Sequence, residues 1–130
     1  MGMHIDLIGL VVADMGRALA FYRDLGLAIP ADADREPHVE VVLPGGLRLA
    51  WDRADVVRGF DPGWTPPSGG ARMGLALRCD GPAEVDEEYA RMVGLGHRSR
   101  LEPWDAFWGQ RYAQLQDPDG NPVDLFSPLD

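Results

Sequence analysis

Asp124 is the residue of this 130-residue chain whose position is best suited to chemistry. In a strand it would share one face with Pro122 and Phe126, so its carboxylate would lie among apolar neighbours. Such a carboxylate is either a buried functional group or a solvated position at a sheet edge. Residues 117–121, Asp-Pro-Asp-Gly-Asn, precede it and consist of turn-forming residues. We therefore predict a β-hairpin whose strands are residues 110–116 and 123–126.

The composition restricts the kinds of partner that the protein is expected to bind. The net charge of −9 argues against nucleic acid or an anionic membrane surface and favours cationic or neutral ligands. The single cysteine, Cys79, excludes an intramolecular disulfide and fits a reducing compartment. The apolar run of residues 7–13 is too short to span a membrane. We expect a soluble, cytoplasmic protein.

The first part of the chain predicts one strand, one helix and further strands. Residues 5–12 are rich in aliphatic side chains and indicate a strand that is buried on both faces. Asp14 is a plausible N-cap for a helix whose apolar residues recur every three or four positions. The remaining predictions are a helix over residues 15–25, a short strand at 28–30, and a hairpin of strands 38–43 and 47–51.

The pattern dissolves between residues 52 and 70, where prolines and glycines predict a linker or lid rather than a regular element. Phe60 and Trp64 lie in this stretch. They either clamp it onto the body of the protein or contact a ligand.

After this stretch the chain begins again. Residues 73–80 have the layout of residues 7–14 at an offset of 66, and a predicted helix follows each. Each half therefore reads strand–helix–strand–strand–strand, which indicates an internal repeat. We predict a single domain of two pseudo-repeats: residues 1–52, a linker at 53–70, and residues 71–130. In the second repeat, residues 97–101 are the predicted strand and 102–109 a loop before the final hairpin.

Three segments of this repeat resemble the vicinal oxygen chelate superfamily, which includes glyoxalases, bleomycin resistance proteins and dioxygenases. They are residues 9–14 with residues 21–27, Trp108 to Tyr112, and residues 117–121. The resemblance implies an α+β fold in which two βαβββ units form a shared eight-stranded cup, and it implies a homodimer. The Trp-Gly pair at Trp108 is closest in character to the metal-free antibiotic-binding branch.

The resemblance also implies where a metal ion would bind, and those positions are mostly apolar here. They correspond to Leu7, Met73, either Leu49 or Trp51, and Asp124. Only Asp124 can ligate, whereas a site needs three protein ligands, or two with a chelating substrate. The histidines, His4, His38 and His97, are spread over different strands or faces. The resemblance therefore implies that neither metal nor cofactor is bound.

Without a metal, the implied cup is an apolar pocket with one carboxylate and tryptophan faces, which stack on planar rings and attract cations. We predict a non-catalytic binding protein that sequesters a planar, cationic natural product or antibiotic. One alternative is a glyoxalase-like lyase or isomerase with Asp124 as general base. Another is a structural or regulatory dimer whose cup is filled by its own side chains. The candidate ligand-binding residues are Leu7, Trp51, Phe60, Trp64, Met73, Trp104, Trp108 and Asp124.

Overall fold

The computed structural model describes residues 2–130 and divides into two compact units after Ser68. Unit 1 contains β1 (Leu7–Val12), α1 (Met15–Asp24), a short 3-10 helix (Ala33–Arg35), β2 (His38–Val42), β3 (Arg48–Arg53) and α2 (Ala54–Phe60). Unit 2 contains β4 (Leu75–Arg78), α3 (Pro82–Gly94), β5 (Arg98–Ala106), β6 (Gln110–Gln116) and β7 (Pro122–Pro128). The predicted α+β class is confirmed.

Each unit has one mixed sheet. In unit 1 the strand order is β1-β3-β2, with β1 parallel and β2 antiparallel to β3. In unit 2 the order is β4-β7-β6-β5, with β4 parallel to β7 and the other neighbours antiparallel. Both units therefore pair their first strand in parallel with their last strand, as expected for a repeat.

Local sequence signals set the helix ends. Asp14 caps α1, because its Oδ1 accepts a hydrogen bond from the Arg17 backbone N–H at 3.0 Å. Pro82 opens α3 at its first turn, where its missing N–H costs nothing. Gly26 and Gly96 follow the two helices with φ of 106° and 100°, a conformation that glycine adopts readily.

The core of unit 1 lies on one face of its sheet. Trp51 is fully buried there, and its ring lies 5.4 Å from that of Tyr22 on α1. The opposite face, which we call the open face of unit 1, carries Leu7 and Gly9, and both are exposed. The expectation that the first strand is buried on both faces is therefore wrong.

The core of unit 2 lies between its sheet and α3. Helix α3 packs on β5, β6 and β7. Its inward side chains Val85 and Met92 are fully buried. The buried strand residues on this side are Ala113, Leu115, Val123 and Leu125. Because strand side chains alternate, the other face of β6 and β7 carries the side chains between them.

Three predicted elements differ from the structure. One predicted strand is absent, so residues 2–130 contain seven strands rather than eight. Residues 28–30 do not pair as a strand, since the Arg23 guanidinium occupies the backbone carbonyls of Ile29 and Pro30, and Pro30 has no N–H to offer. The stretch expected to be irregular contains α2. Strand β5 continues through most of the predicted loop and ends at Ala106.

The offset between the two repeats in the structure also differs from the offset read from the sequence. Helices α1 and α3 begin at Met15 and Pro82, 67 residues apart rather than 66. Gly81, not Asp80, is the N-cap of α3. An odd offset reverses which residues of the first strand face the helix, because strand faces alternate with a period of two.

Candidate functional site

The face of the unit 2 sheet that points away from α3 brings Asp124 together with aromatic and amide side chains. Gln114 on β6 lies directly opposite Asp124 on β7, and Tyr112 lies opposite Phe126. Trp104 on β5 lies opposite Tyr112. Residues paired across strands share a face, and this one is the side away from α3. We call it the Asp124 face.

Asp124 is held by the amide of its cross-strand neighbour. Gln114 Nε2 donates to Asp124 Oδ1 at 2.8 Å and also to the Tyr112 hydroxyl oxygen at 3.2 Å. Burial, followed by the hydrogen bond and charge of Asp124, raises the pKa of Tyr112 to about 12. The phenol is therefore neutral at physiological pH, and it lies beside a half-buried carboxylate.

Four aromatic rings adjoin this polar group, and we call them the aromatic cluster: Trp104, Phe107, Trp108 and Tyr112. The Trp108 ring centroid lies 5.5 Å from that of Trp104, 4.9 Å from that of Phe107 and 5.2 Å from that of Tyr112, each edge to face. Trp108 Nε1 donates to Gln110 Oε1 at 2.8 Å, which fixes the indole. Trp104, Phe107 and Trp108 remain exposed, so part of each ring is accessible to a planar molecule.

The structure thus unites three of the predicted site residues, Trp104, Trp108 and Asp124, on one surface. Trp104 belongs to this surface because β5 extends beyond its predicted end. Tyr112 and Gln114 were not predicted as site residues. Period-two counting from Asp124 across the predicted hairpin would have found them, since both lie on its face.

The predicted unit 1 residues are dispersed over that unit. Leu7 lies on its open face. Trp51 lies on the opposite face, 0% exposed, and its Nε1 has no hydrogen-bond partner among the residues that the structure describes. Leu49 shares that buried face, so neither Leu49 nor Trp51 is placed to contact a ligand, and the choice of Trp51 as a ligand-binding residue is corrected. The pairing of β3 with β1 places Arg48, Ala50 and Asp52 beside Leu7, Gly9 and Val11 instead.

The aromatic residues that follow β3 differ from each other. Phe60 is the last residue of α2 and is 76% exposed. Trp64 is half-buried, and the Arg58 guanidinium lies 5.3 Å from its ring centroid. This cation–π contact ties Trp64 to α2 within unit 1, which is the clamping role weighed for it.

Met73 precedes β4 and is 72% exposed. Alternation from Met73 at the sequence offset of 66 would set Leu75 and Leu77 on the Asp124 side, but β4 pairs them with the buried residues Val123 and Leu125. Ala76 pairs with Asp124 and shares its face. The physical reason is the odd repeat offset, which exchanges the two faces of the strand.

An ion-pair network, absent from the sequence predictions, covers the open face of unit 1. His38 Nδ1 lies 2.6 Å from Asp52 Oδ1, and its Nε2 lies 2.8 Å from Glu40 Oε2. Arg48 joins the network by donating to Glu40 and Asp6. The hydrogen bonds to Glu40 and Asp52 raise the pKa of His38 above its ordinary value. The hairpin register, which sets His38 opposite Asp52, is the signal that would have revealed it.

The residues present do not fit the metal ion that the superfamily resemblance associates with this fold. Leu7 and Ala50 offer no donor on the open face of unit 1. His38 has both ring nitrogens engaged by carboxylates, so neither lone pair is available to a metal. Across residues 2–130, no group of three or more His, Cys, Asp or Glu side chains is placed to hold one.

Comparison with known proteins identifies the family. The sequence profile of the Glyoxalase/Bleomycin resistance protein/Dioxygenase superfamily matches residues 4–125. The chain belongs to this superfamily. No curated protein matches this superfamily member.

Solved structures share the fold of this superfamily member. A glyoxalase/bleomycin resistance protein/dioxygenase from Nocardioides is 23% identical, with a TM-score of 0.80 over 100% of this chain and 86% of that one. A family enzyme from Burkholderia phytofirmans PsJN is 15% identical, with a TM-score of 0.82 over 98% and 100%. A protein of unknown function from Agrobacterium tumefaciens str. C58 is 26% identical, with a TM-score of 0.71 over 99% and 97%. No helix in the described part of the chain is long and apolar enough to cross a membrane.

Proposed function

We propose that the protein is a metal-independent small-molecule-binding protein that sequesters a planar, cationic natural product or antibiotic on its Asp124 face. The observation that carries this proposal is the union of the Asp124 carboxylate with the exposed rings of Trp104 and Trp108 on one sheet face. A planar ligand can stack on the indoles while its positive group pairs with the carboxylate. This function belongs to the antibiotic-binding branch that the sequence resembles.

The expected energies indicate which contact a mutation should reveal. A stacked or cation–π contact contributes on the order of 0.5 to 2 kcal/mol. A charge pair at a half-buried position is stronger than one in bulk water, because the surrounding dielectric constant is lower. Removing the charge of Asp124 while keeping its volume should therefore weaken a cationic ligand selectively.

The test is a fluorescence titration of wild type and Asp124→Asn with bleomycin and with an uncharged bithiazole fragment. We expect both ligands to quench tryptophan emission. We expect Asp124→Asn to weaken bleomycin roughly tenfold, the equivalent of about 1.4 kcal/mol, and to leave the neutral fragment little changed. The matched control is Asp80→Asn, which removes the same charge from an exposed position in unit 2.

Equal losses for the charged and neutral compounds would assign Asp124 a purely structural role. If no planar compound quenches the tryptophan emission, the proposed binding function is wrong. A comparable loss in Asp80→Asn would mean that bleomycin responds only to the net charge of −9.

A second candidate function is a lyase or isomerase that uses Asp124 as general base. The observation that favours it is Tyr112, whose neutral hydroxyl lies beside the carboxylate and can donate a hydrogen bond to a substrate oxygen. Proton NMR in D₂O separates the two candidates. A base would exchange the protons next to the carbonyl of a planar ketone such as 1-indanone, and Asp124→Asn would abolish this exchange.

We also propose that the protein acts in the cytoplasm as a homodimer. The lone thiol Cys79 is buried, and its raised pKa of about 11, caused mainly by burial, keeps it protonated and unreactive. A single inert thiol is in keeping with a reducing compartment.

A further inference from the structure

Asp124 keeps the capacity to accept a cation, although two side chains already hydrogen-bond to it. Gln114 Nε2 donates to its Oδ1 at 2.8 Å, and the Tyr112 hydroxyl also hydrogen-bonds this carboxylate. A carboxylate offers about four acceptor positions on its two oxygens, and Asp117 Oδ1 alone accepts two hydrogen bonds in the same hairpin. Gln114 and Tyr112 therefore orient Asp124 without saturating it.

The tryptophan rings of the site lie at a distance from this carboxylate. Trp104 lies opposite Tyr112, and Tyr112 lies opposite Phe126, two residues along β7 from Asp124. Two strand spacings and two residues place the Cα atoms of Trp104 and Asp124 about 12 Å apart. The Trp108 ring contacts the Trp104 ring at 5.5 Å and the Tyr112 ring at 5.2 Å. Tyr112 thus links the two ends of the site, with its ring against Trp108 and its hydroxyl at Asp124.

This separation decides how a ligand can use the carboxylate, because the attraction between charges falls with distance and is screened by salt. The screening length is about 8 Å at physiological ionic strength. A flat cation that is stacked on Trp104 or Trp108 keeps its charge beside the indole and away from Asp124. It gains a cation–π contact but little from the carboxylate. A cation on a chain can place its ring on an indole and its charge against Asp124 in one complex.

We propose that the Asp124 face binds planar aromatic ligands whose ammonium group is carried on a flexible apolar chain, and that Asp124 contributes little to binding of flat cations whose charge lies within the ring. The chain crosses the half-buried ring of Tyr112, whose apolar surface favours methylene groups over a polar linker. This inference rests on the proposed function and names the ligand class of the same site.

Three probes with similar bicyclic rings test the proposal by NMR titration of isotope-labelled protein. They are 4-(naphthalen-2-yl)butan-1-amine, the neutral 4-(naphthalen-2-yl)butan-1-ol, and N-methylquinolinium, which carries its charge within the ring. In the wild type we expect the amine to shift the indole N–H signals of Trp104 and Trp108 and also the side-chain amide signals of Gln114. N-methylquinolinium should shift the indole signals only.

Asp124→Asn keeps the volume of the side chain and removes its charge. We expect it to weaken the amine roughly tenfold, the equivalent of about 1.4 kcal/mol, and to change the affinities of the alcohol and N-methylquinolinium by less than about twofold. Asp80→Asn is the matched control. It removes the same charge from an exposed position in unit 2 and should leave all three affinities within about twofold of wild type. Thermal unfolding checks that both variants are folded, and the wild-type signal shifts test the proposal without any variant.

The outcomes separate this inference from the proposed function. If N-methylquinolinium shifts the Gln114 amide signals, or loses as much affinity as the amine in Asp124→Asn, flat cations reach the carboxylate. The inference is then wrong and the binding function stands. If the amine loses no more affinity than the alcohol in Asp124→Asn, or loses as much in Asp80→Asn, Asp124 does not select the charge on the chain, and the inference is again wrong. If none of the three probes binds, the proposed function and the inference are both wrong.

Discussion

Two carboxylates of the last hairpin, Asp117 and Asp124, have different roles because they have different partners. Asp117 is 1% exposed. Its Oδ1 accepts the backbone N–H groups of Asp119 and Asn121 at 2.9 and 2.8 Å, and its Oδ2 accepts from Asn121 Nδ2 at 2.9 Å. Asp124 is half-buried, and its Oδ1 accepts a hydrogen bond from the Gln114 side chain at 2.8 Å. The Asp117 carboxylate is therefore structural, whereas Asp124, the carboxylate of the proposed site, lies further along the hairpin.

We predict that Asp117→Ala lowers the free energy of unfolding by about 2 to 4 kcal/mol. The substitution leaves two backbone N–H groups of the turn without their acceptor, and each buried unsatisfied group costs about 1 to 3 kcal/mol. Urea denaturation of the variant and wild type measures the difference.

Asp32→Ala, at an exposed position in unit 1, controls for loss of a carboxylate and should change stability by less than about 0.5 kcal/mol. If Asp117→Ala behaved like this control, the turn would not depend on the Asp117 carboxylate.

At the residue scale, the sequence predicted the strand position of Asp124 correctly, but it assigned Trp51, which is buried in the core, to the ligand-binding residues. Alternation in a short, well-bounded hairpin is reliable, so the neighbours of Asp124 follow from counting. Trp51 required knowledge of which face of β3 meets α1. A tryptophan at this position could belong either to a ligand-binding surface or to the hydrophobic core. In the structure its ring packs against Tyr22 in the core.

At the element scale, the sequence predicted both helices of the repeat and the final hairpin, because caps, glycines and turn residues mark their ends. It missed α2, which is only seven residues long and lies among loop-forming residues. The strand predicted at the position of β5 was also too short. The pairing of β5 with β6 shifts register near Ser99, Leu101 and Trp104. Such irregularities interrupt the alternation from which a strand is predicted.

The sheet of unit 1 should show a pH dependence that originates at His38. Its folded pKa is raised, so its contribution to stability is complete below the ordinary histidine pKa of about 6.5 and is lost as pH rises through the folded value. The groups that face it are Asp52 and Glu40, with Arg48 and Asp6 beyond them. Because the pair is substantially exposed, the effect should not exceed about 1 kcal/mol.

Thermal unfolding of wild type and His38→Gln from about pH 5.5 to about pH 9 measures this effect, a range that spans the histidine titration. Wild type should be the more stable protein at the acid end, and the difference should shrink with rising pH. His4 and His97 are common to both proteins and cancel. A difference that is constant with pH, or an NMR titration giving His38 an unshifted pKa, would contradict the prediction.

At the scale of the whole molecule, charge and sheet edges govern association. The net charge of −9 raises the local concentration of cationic ligands and repels polyanions. Each sheet ends in two edge strands, β1 and β2 in unit 1 and β4 and β5 in unit 2. Edge strands carry unpaired backbone groups that natural proteins cover or pair.

We predict a homodimer at micromolar concentration, because edge strands are usually covered or paired and the two-fold dimer is the commonest assembly among soluble oligomers. Light scattering coupled to size-exclusion chromatography measures the mass directly. For a chain of 14.3 kDa, a dimer should scatter as twice that mass, and a peak at the mass of one chain would refute the prediction.

The odd repeat offset has a consequence for recombination between the two halves of the gene. Replacing β4 (Leu75–Arg78) with residues 9–12, as the letters align, would put Gly9 and Val11 where Leu75 and Leu77 face the core. Replacement with residues 8–11 would put Ile8 and Leu10 there and preserve the apolar face. The second chimera should fold and the first should not, since a shift of one residue exchanges the core-facing and opposite faces of a strand.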